Sequence, residues 1–131
     1  MSAENVEVVR QFFEVGLDAD ELVARGVVDP ELRFVPGAGS LIRGALSARG
    51  FAQVVEDIAT QFEEYDVRPE RFIDAGESVV VELRRRAIHA GSSVPIEDRF
   101  AQVFTFRGGR IVRMQSFFEL DDALQAAGIG S

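Results

Sequence analysis

Residues 98–119 constrain the fold of this chain more than any other stretch, because their pattern predicts a β-hairpin. Two runs of side chains that alternate between opposite faces flank Gly108 and Gly109. Successive glycines suit the positive φ angles of a tight hairpin turn. Neither run has one wholly polar face, so we expect both faces of the hairpin to be covered. Helices are expected on one face and a second subunit on the other.

The length and composition of the chain are those of one globular domain, which we predict to cover residues 1–131. Hydrophobic residues make up 47% of the chain and charged residues 27%, which argues against disorder. With no cysteine and a single histidine, the chain offers no disulfide, no thiolate ligand and no convincing set of transition-metal ligands. We therefore expect neither a metal nor a cofactor.

Charge and hydropathy argue against two classes of partner. The formal net charge of −8 opposes attraction to nucleic acid phosphates and to anionic lipid. No apolar run approaches the length of about 20 residues that spans a membrane, and the N-terminal residues lack the pattern of a signal peptide. We expect a cytoplasmic protein that binds neither nucleic acid nor membrane. The basic cluster at residues 84–86 is either a phosphate-binding patch or part of a strand with arginines on both faces, and its strand-like surroundings favour the strand.

Apolar residues at helical spacing predict three helices before the sheet is complete. The first covers residues 3–16, and the second ends at Ala24, with Asp18 or Asp20 as its N-cap. The third begins after Ser47 and is the best candidate to lie across the sheet, because its apolar residues form one stripe. That stripe consists of Phe51, Val54, Val55, Ile58 and Phe62.

Strands are predicted at residues 32–35, 65–75 and 79–89 and in the two arms of the hairpin. Asp29 and Pro30 indicate a turn before the first strand, and Pro69 confines the second to an edge or a bulge. Residues 37–44 are loop-like, and a short helix at residues 120–127 follows the hairpin. This order predicts an α+β fold. A strongly curved antiparallel sheet, with N-terminal helices and the long helix packed across it, forms a cone that encloses a pocket.

Several short motifs carry a family resemblance. GRIVR at residues 109–113, FFE at 117–119 and AL at 123–124 are similar to a Gly-Lys-Ile turn, a terminal strand and a closing acidic helix. Supporting matches are IRG at residues 42–44 and VVRQFF at 8–13. In their order and spacing the chain resembles the SnoaL-like branch of the nuclear transport factor 2-like superfamily. The resemblance covers nearly the whole chain and implies the cone fold, but the superfamily holds both enzymes and plain binding proteins, so the fold does not settle the function.

The ketosteroid isomerases of this superfamily use three catalytic positions, and this chain departs from all of them. Phe12 stands where a tyrosine donates a hydrogen bond to the developing oxyanion. Pro36 falls on or beside the position of the general-base aspartate, and Arg99 falls at that of the protonated aspartate. The resemblance therefore implies that the machinery for enolisation is missing.

Two other enzyme types of the superfamily fit no better. Limonene epoxide hydrolases use an Asp–Arg–Asp set. The position of its last-strand aspartate would fall at Ser116, and that of a neighbouring aromatic residue at Met114. Glu97 stands near the position of the other aspartate. Polyketide cyclases of the SnoaL type use an aspartate or histidine that lines the cone, and no inward aspartate is evident. The catalytic role therefore stays open, with the candidates Arg99, Glu97, Arg85 and His89.

The resemblance also indicates which face of the hairpin points into the cone. The inward residues are expected to be Arg99, Ala101, Val103, Thr105, Met114, Ser116 and Phe118. Phe100, Phe104 and Phe106 are then left outside, where an apolar patch in water predicts a homodimer through the outer sheet face. In the alternative interpretation these three phenylalanines form the inner core and fill the cone.

Arg85 and Arg99 would reach into the cone from adjacent strands. A buried arginine needs an acidic partner or an anionic ligand. The acidic partners near the mouth are Glu97, Asp57 and Glu56. Otherwise the arginines clamp a carboxylate or polarise a carbonyl group of a ligand. His89 is either a general base or a surface histidine at a strand end.

The sequence supports two classes of function. The first is a small-molecule-binding protein with an apolar, cone-shaped pocket, extending to an isomerase-, cyclase- or hydrolase-type enzyme of secondary metabolism that acts on a cyclic or aromatic substrate. The second is a non-catalytic dimerisation or scaffold domain whose cone is filled by side chains. For the first class, the predicted ligand-binding residues are Phe12, Phe34, Phe51, Val55, Arg85, Arg99, Met114, Ser116 and Phe118.

We expect no detectable isomerisation of a 5-ene-3-ketosteroid, because Phe12 cannot donate a hydrogen bond and Pro36 cannot accept a proton. Phe12→Tyr alone is not expected to introduce activity, since the base is still absent. The absorbance of the conjugated product measures the rate, with buffer as the control. Turnover above the buffer background would contradict this prediction.

Overall fold

The computed structural model describes residues 2–16, 18–36 and 45–129. Within these residues the chain forms four helices and five strands in this order: α1 (Ser2–Val15), α2 (Ala19–Ala24), β1 (Val28–Val35), α3 (Ala48–Ala59), β2 (Phe62–Asp74), β3 (Ser78–His89), β4 (Ile96–Arg107), β5 (Arg110–Phe117) and α4 (Leu120–Ala126). The predicted loop at residues 37–44, including the motif at 42–44, lies outside the described residues.

One five-stranded sheet organises the fold, with the strand order β1-β5-β4-β3-β2. β1 is parallel to β5, and the other neighbours are antiparallel, so the sheet is mixed rather than wholly antiparallel as predicted. The sheet is open, with β1 and β2 at its two edges. α3 contacts both of these edge strands and therefore lies across the sheet. The predicted α+β class is confirmed.

Local side chains explain where several elements begin and turn. Asp18 Oδ1 and Ser47 Oγ each accept a hydrogen bond from the backbone N–H three residues further on, at 3.0 and 3.1 Å, and so cap α2 and α3. Asp18, one of the two predicted N-caps of α2, is confirmed, as is the predicted start of the third helix after Ser47. Each side chain satisfies an N–H that the helix itself leaves unpaired. Gly108 and Gly109 have φ angles of 60° and 78°, which confirms the predicted hairpin turn between β4 and β5.

The two predictions about prolines have different outcomes. β1 begins at Val28, so the predicted turn at Asp29 and Pro30 is wrong: these residues lie within the strand, where its register on β5 shifts. An edge strand tolerates this proline because only one side of it is paired. Pro69 lies in the other edge strand and next to a register shift, so both features predicted for it are confirmed.

The larger core lies between α1, α2 and the face of the sheet that we call the inner face. Its strand residues include Val79, Val81, Leu83, Phe104, Ile111 and Met114. Phe104 has no exposed surface, and its ring centroid lies 5.5 Å from that of Phe12 and 5.9 Å from that of Phe13. The packing of α1 against β4 therefore depends on edge-to-face contacts between aromatic rings, a favoured geometry for such rings.

The predicted orientation of β4 is wrong. Ala101 and Val103 pack with Ala123 of α4 on the opposite, outer face. Phe100 and Phe106 pack against the inner core that contains Phe104. Large rings fill the deep space beneath the N-terminal helices, whereas the short α4 can approach the outer face only over small side chains. The same alternation puts Thr105 outside with Val103, contrary to the prediction.

The outer face therefore lacks the phenylalanine patch on which the predicted dimer interface was based. Beyond α4 it carries exposed ion pairs, such as Arg84 with Glu97 at 2.9 Å. Arg84 and Arg86 lie on this face, while Arg85 lies on the inner one, which confirms a strand with arginines on both faces. Such exposed pairs contribute little to stability. Homodimerisation itself stays a prediction, now without an apolar patch from β4.

A cluster of charged groups joins β1 to the end of β4. Asp29 Oδ1 accepts the backbone N–H of Glu31 at 2.8 Å and lies 3.2 Å from Nη2 of Arg107. The N–H, with a smaller contribution from the guanidinium, holds the pKa of Asp29 below its usual value of 3.8. Both groups favour the ionised carboxylate.

Replacing Phe104 with alanine is expected to lower the free energy of unfolding by about 3–5 kcal/mol, because it leaves a cavity in a fully buried site. Phe118→Ala is the matched control, since the side chain of Phe118 is 58% exposed. The control is expected to stay within about 0.5 kcal/mol of the wild type. Urea unfolding measures both. Equal effects of the two substitutions would mean that β4 is oriented as the sequence predicted.

The ionised form of Asp29 is expected to stabilise the fold above pH 3.8, and this contribution is lost as the pH falls below 3.8 through the folded-state pKa. Asp29→Asn should therefore lower stability at neutral pH and flatten the decline in acid. Glu31→Gln is the control, because it keeps Asp29 and the backbone N–H. Urea midpoints between neutral pH and about pH 2 measure the decline. An unchanged acid profile in Asp29→Asn would refute this assignment.

Candidate functional site

An apolar cavity of about 210 Å³ lies between α1, α3 and the inner face of β2, β3 and β4. Its lining residues are Phe12, Phe13, Gly16, Phe51, Val55, Val67, Leu83, Phe100 and Gln102. The cavity exists because α3 spans the two edges of the sheet while the rings of α1 and β4 fill only part of the space beneath it. Phe100, Phe104 and Phe106 lie in or against the inner core, as the alternative interpretation predicted, and the cavity is the space that they leave open.

α1 and α3 supply the roof of the cavity. Phe12 is 4% exposed and anchors α1 in the core, and Phe51 of α3 packs on Phe34 of β1 with ring centroids 4.3 Å apart. None of the twelve residues of α3 is fully buried. Val55 lies one turn beyond Phe51 and faces the cavity. The roof of the cavity is thus apolar.

The strands supply the floor and wall in successive layers, because every second residue of a strand points inward. Gln102, paired across the ladder with Ser116, forms the deepest layer. Leu83 and Phe100 pair across β3 and β4 in the next layer. Arg85 and Asp98 pair in the layer after that, towards the ends of the strands. From the deepest layer to the ends of the strands, the side chains of the inner face therefore change from an amide to hydrocarbon and then to an ion pair.

Gln102 is the polar side chain among the described residues that line the cavity. It is 6% exposed, and its Nε2 donates a hydrogen bond to Ser116 Oγ at 3.3 Å. This carboxamide is the polar group that the described lining presents to the cavity, and none of the buried side-chain N and O atoms of the described residues lacks a hydrogen-bond partner. The sequence analysis missed this residue. Its signal was a single amide between phenylalanines on one face of a strand.

Arg85 and Asp98, which we call the rim pair, border the cavity. Arg85 Nε and Nη2 donate to the two carboxylate oxygens of Asp98 at 2.9 and 2.5 Å. The guanidinium carbon lies 5.2 Å from the centroid of the Phe100 ring, itself a lining residue. The hydrogen bond to Asp98, with a smaller contribution from Tyr65, raises the pKa of Arg85. The side chain of Arg85 is 32% exposed, so the pair stands at the boundary between cavity and solvent.

The structure brings some of the other predicted ligand-binding residues to the site. Phe12, Phe51 and Val55 line the cavity as predicted. Phe34 lies behind Phe51, and Ser116 holds the amide of Gln102. Met114 is fully buried in the core next to Phe104 and is not a lining residue.

Two predicted ligand contacts are wrong in their placement. Arg99 points to the outer face, where its Nε lies 2.7 Å from Glu70 Oε1 and its side chain is 62% exposed. It cannot point inward because its neighbours Asp98 and Phe100 do. Phe118 follows the end of β5 and is exposed.

Two further catalytic candidates, Glu97 and His89, also lie away from the cavity. Glu97 contacts Arg84 and Arg86 on the outer face. His89 is exposed at the end of β3, where its ring packs on Phe62 with centroids 4.4 Å apart. The surface interpretation of this histidine is therefore the better one.

The described part of the chain contains no group of three or more His, Cys, Asp or Glu residues that could hold a metal ion. Within residues 2–16, 18–36 and 45–129, no helix is long and apolar enough to cross a membrane.

Comparison with known proteins identifies the family. The model of the SnoaL-like domain family matches residues 9–114. The chain belongs to this family, as the sequence motifs predicted. No curated protein matches this SnoaL-like chain.

Solved structures of other proteins share the fold. TerC, co-crystallised with polyporic acid, superposes with a TM-score of 0.68 at 20% identity, covering 95% of this chain and 98% of TerC. A putative SnoaL-like polyketide cyclase from Jannaschia sp. CCS1 gives a TM-score of 0.67 at 20% identity, with 99% and 95% covered. Bal32a, from a soil-derived mobile gene cassette, gives 0.69 at 17% identity, with 92% and 93% covered. At these identities the likeness establishes the nuclear transport factor 2-like fold alone.

Proposed function

We propose that this SnoaL-like protein binds an uncharged cyclic or aromatic small molecule in the apolar cavity. The observation that carries the proposal is Gln102, a buried amide at one side of a hydrocarbon-lined space. A pocket with apolar walls and few convergent polar groups is the usual form of a small-molecule site.

The walls favour a ring as the ligand. Phe12, Phe51 and Phe100 line the cavity from α1, α3 and β4. Aromatic side chains bind flat rings through offset or edge contacts and bury large areas without needing polar partners. The volume of about 210 Å³ lies below the usual range of roughly 300–1,000 Å³ for ligand pockets. A ligand with one ring or two fused rings is therefore expected.

Gln102 favours a ligand with a polar atom on that ring. A polar atom of a ligand costs free energy when it is buried without a partner, and the amide of Gln102 lies where it can be that partner. Because a neutral amide both donates and accepts, it suits a carbonyl, amide or hydroxyl group.

Related proteins support a role with small molecules. TerC was crystallised with polyporic acid, and the Jannaschia protein is described as a putative polyketide cyclase. An isomerase-, cyclase- or hydrolase-type activity on a cyclic substrate is the finer form of the same proposal. The described lining residues include no carboxylate and no imidazole. Any proton transfer would therefore involve the rim pair rather than the lining, and binding is the function that the geometry supports best.

The test uses 2-naphthamide as a neutral probe in isothermal titration calorimetry. Val55→Phe fills the cavity from α3 and is expected to abolish binding, whereas Val54→Phe, on the same helix but not among the lining residues, should leave it unchanged. Gln102→Leu should weaken the amide about tenfold without affecting 2-methylnaphthalene. Failure of 2-naphthamide to bind the wild type, or equal losses in the Val54 and Val55 variants, would overturn the proposal.

A further inference from the structure

We infer that the rim pair, Arg85 and Asp98, sets the charge class of the ligand by excluding anions from the cavity. This inference rests on the proposed function. It concerns which small molecules the cavity accepts rather than whether it binds one.

The rim pair is placed to act on any ligand that extends out of the cavity. Arg85 follows the lining residue Leu83 by two positions on β3, and its partner across the ladder on β2 is the lining residue Val67. Asp98 precedes the lining residue Phe100 by two positions on β4. Since side chains two apart share a face, both charged groups project beside the lining on the inner face.

The hydrogen-bonding geometry pairs one edge of the Arg85 guanidinium with a carboxylate. Asp98 occupies the Nε and Nη2 edge of the guanidinium with both of its oxygens, which is the edge that binds a carboxylate in two-point fashion. The opposite charges compensate each other, so the rim presents an ion pair and not a free cation.

A ligand anion would therefore meet Asp98 before it gained Arg85. To reach the same edge of the guanidinium it would have to displace a carboxylate that is tethered in place, and without displacing it the anion would face a like charge. The net charge of −8 adds a weak repulsion over a longer range. The second cation that the sequence analysis placed in the cone, Arg99, lies on the outer face and cannot offset this. Neutral ligands encounter none of these costs.

Removing the carboxylate should reverse the selectivity. Asp98→Asn keeps the shape of the side chain but frees a cation beside the cavity. Glu97→Gln is the matched control, because it makes the same change in net charge at the next position of the strand but on the outer face, where Glu97 contacts Arg84.

The experiment measures the affinities of 2-naphthamide and 2-naphthoate, which have nearly the same shape and differ in charge. The wild type and Glu97→Gln are expected to prefer 2-naphthamide. Asp98→Asn is expected to gain about tenfold or more in relative affinity for 2-naphthoate, and adding Arg85→Gln to it should abolish the gain. Retained binding of 2-naphthamide shows that the variant is folded, and Asp98→Ser is a second variant at the same position.

Three results would overturn the inference. If the wild type binds 2-naphthoate as tightly as 2-naphthamide, that result alone overturns the inference, before any variant is measured. Unchanged selectivity in Asp98→Asn, or an equal gain in Glu97→Gln, would show that the rim pair does not select charge although the cavity binds ligands. If neither probe binds the wild type, the proposed function fails and the inference fails with it.

Discussion

The packing of Phe104 beneath α1 is the interaction on which the rest of the site depends. Its ring has no exposed surface and meets the edges of Phe12 and Phe13. Because side chains alternate along a strand, an inward Phe104 also places Phe100, Gln102 and Asp98 on the inner face and Arg99 on the outer one. A single aromatic contact thus sets the floor, the wall and the rim of the cavity.

The incomplete filling of the inner face distinguishes the site from an ordinary core. Protein interiors normally pack with few voids larger than a water molecule. Here α3 bridges the sheet without burying any of its residues fully, and the amide of Gln102 borders the resulting space. A bound ring would bury the apolar lining, and a polar atom on that ring would pair with the amide. The cavity and Gln102 therefore support the same conclusion.

The elements of the fold were largely predictable from the sequence, but the orientation of the sheet was not. Caps at Asp18 and Ser47 and the glycine turn depend on neighbouring residues, so short patterns sufficed. β4 is apolar on both faces, since α4 covers Ala101 and Val103 while α1 covers Phe104. The alternation of side chains along β4 then shows that its two faces differ, but it does not show which face points inward. The orientation taken from the family resemblance was the wrong one. The same error moved Arg99 into the predicted site and left Gln102 out.

The sequence by itself determined most of the helices and strands, the hairpin, the family and the absence of cysteine, because each follows from local spacing or from composition. The tertiary structure alone decided the contents of the site. The register of the sheet brings together side chains from different strands. It pairs Arg85 with Asp98 and Gln102 with Ser116. The packing of the phenylalanine rings beneath α1 settles both that register and the choice of inner face. This packing depends on how side-chain volumes fit together in three dimensions, and the alternation of residues along a strand does not encode it.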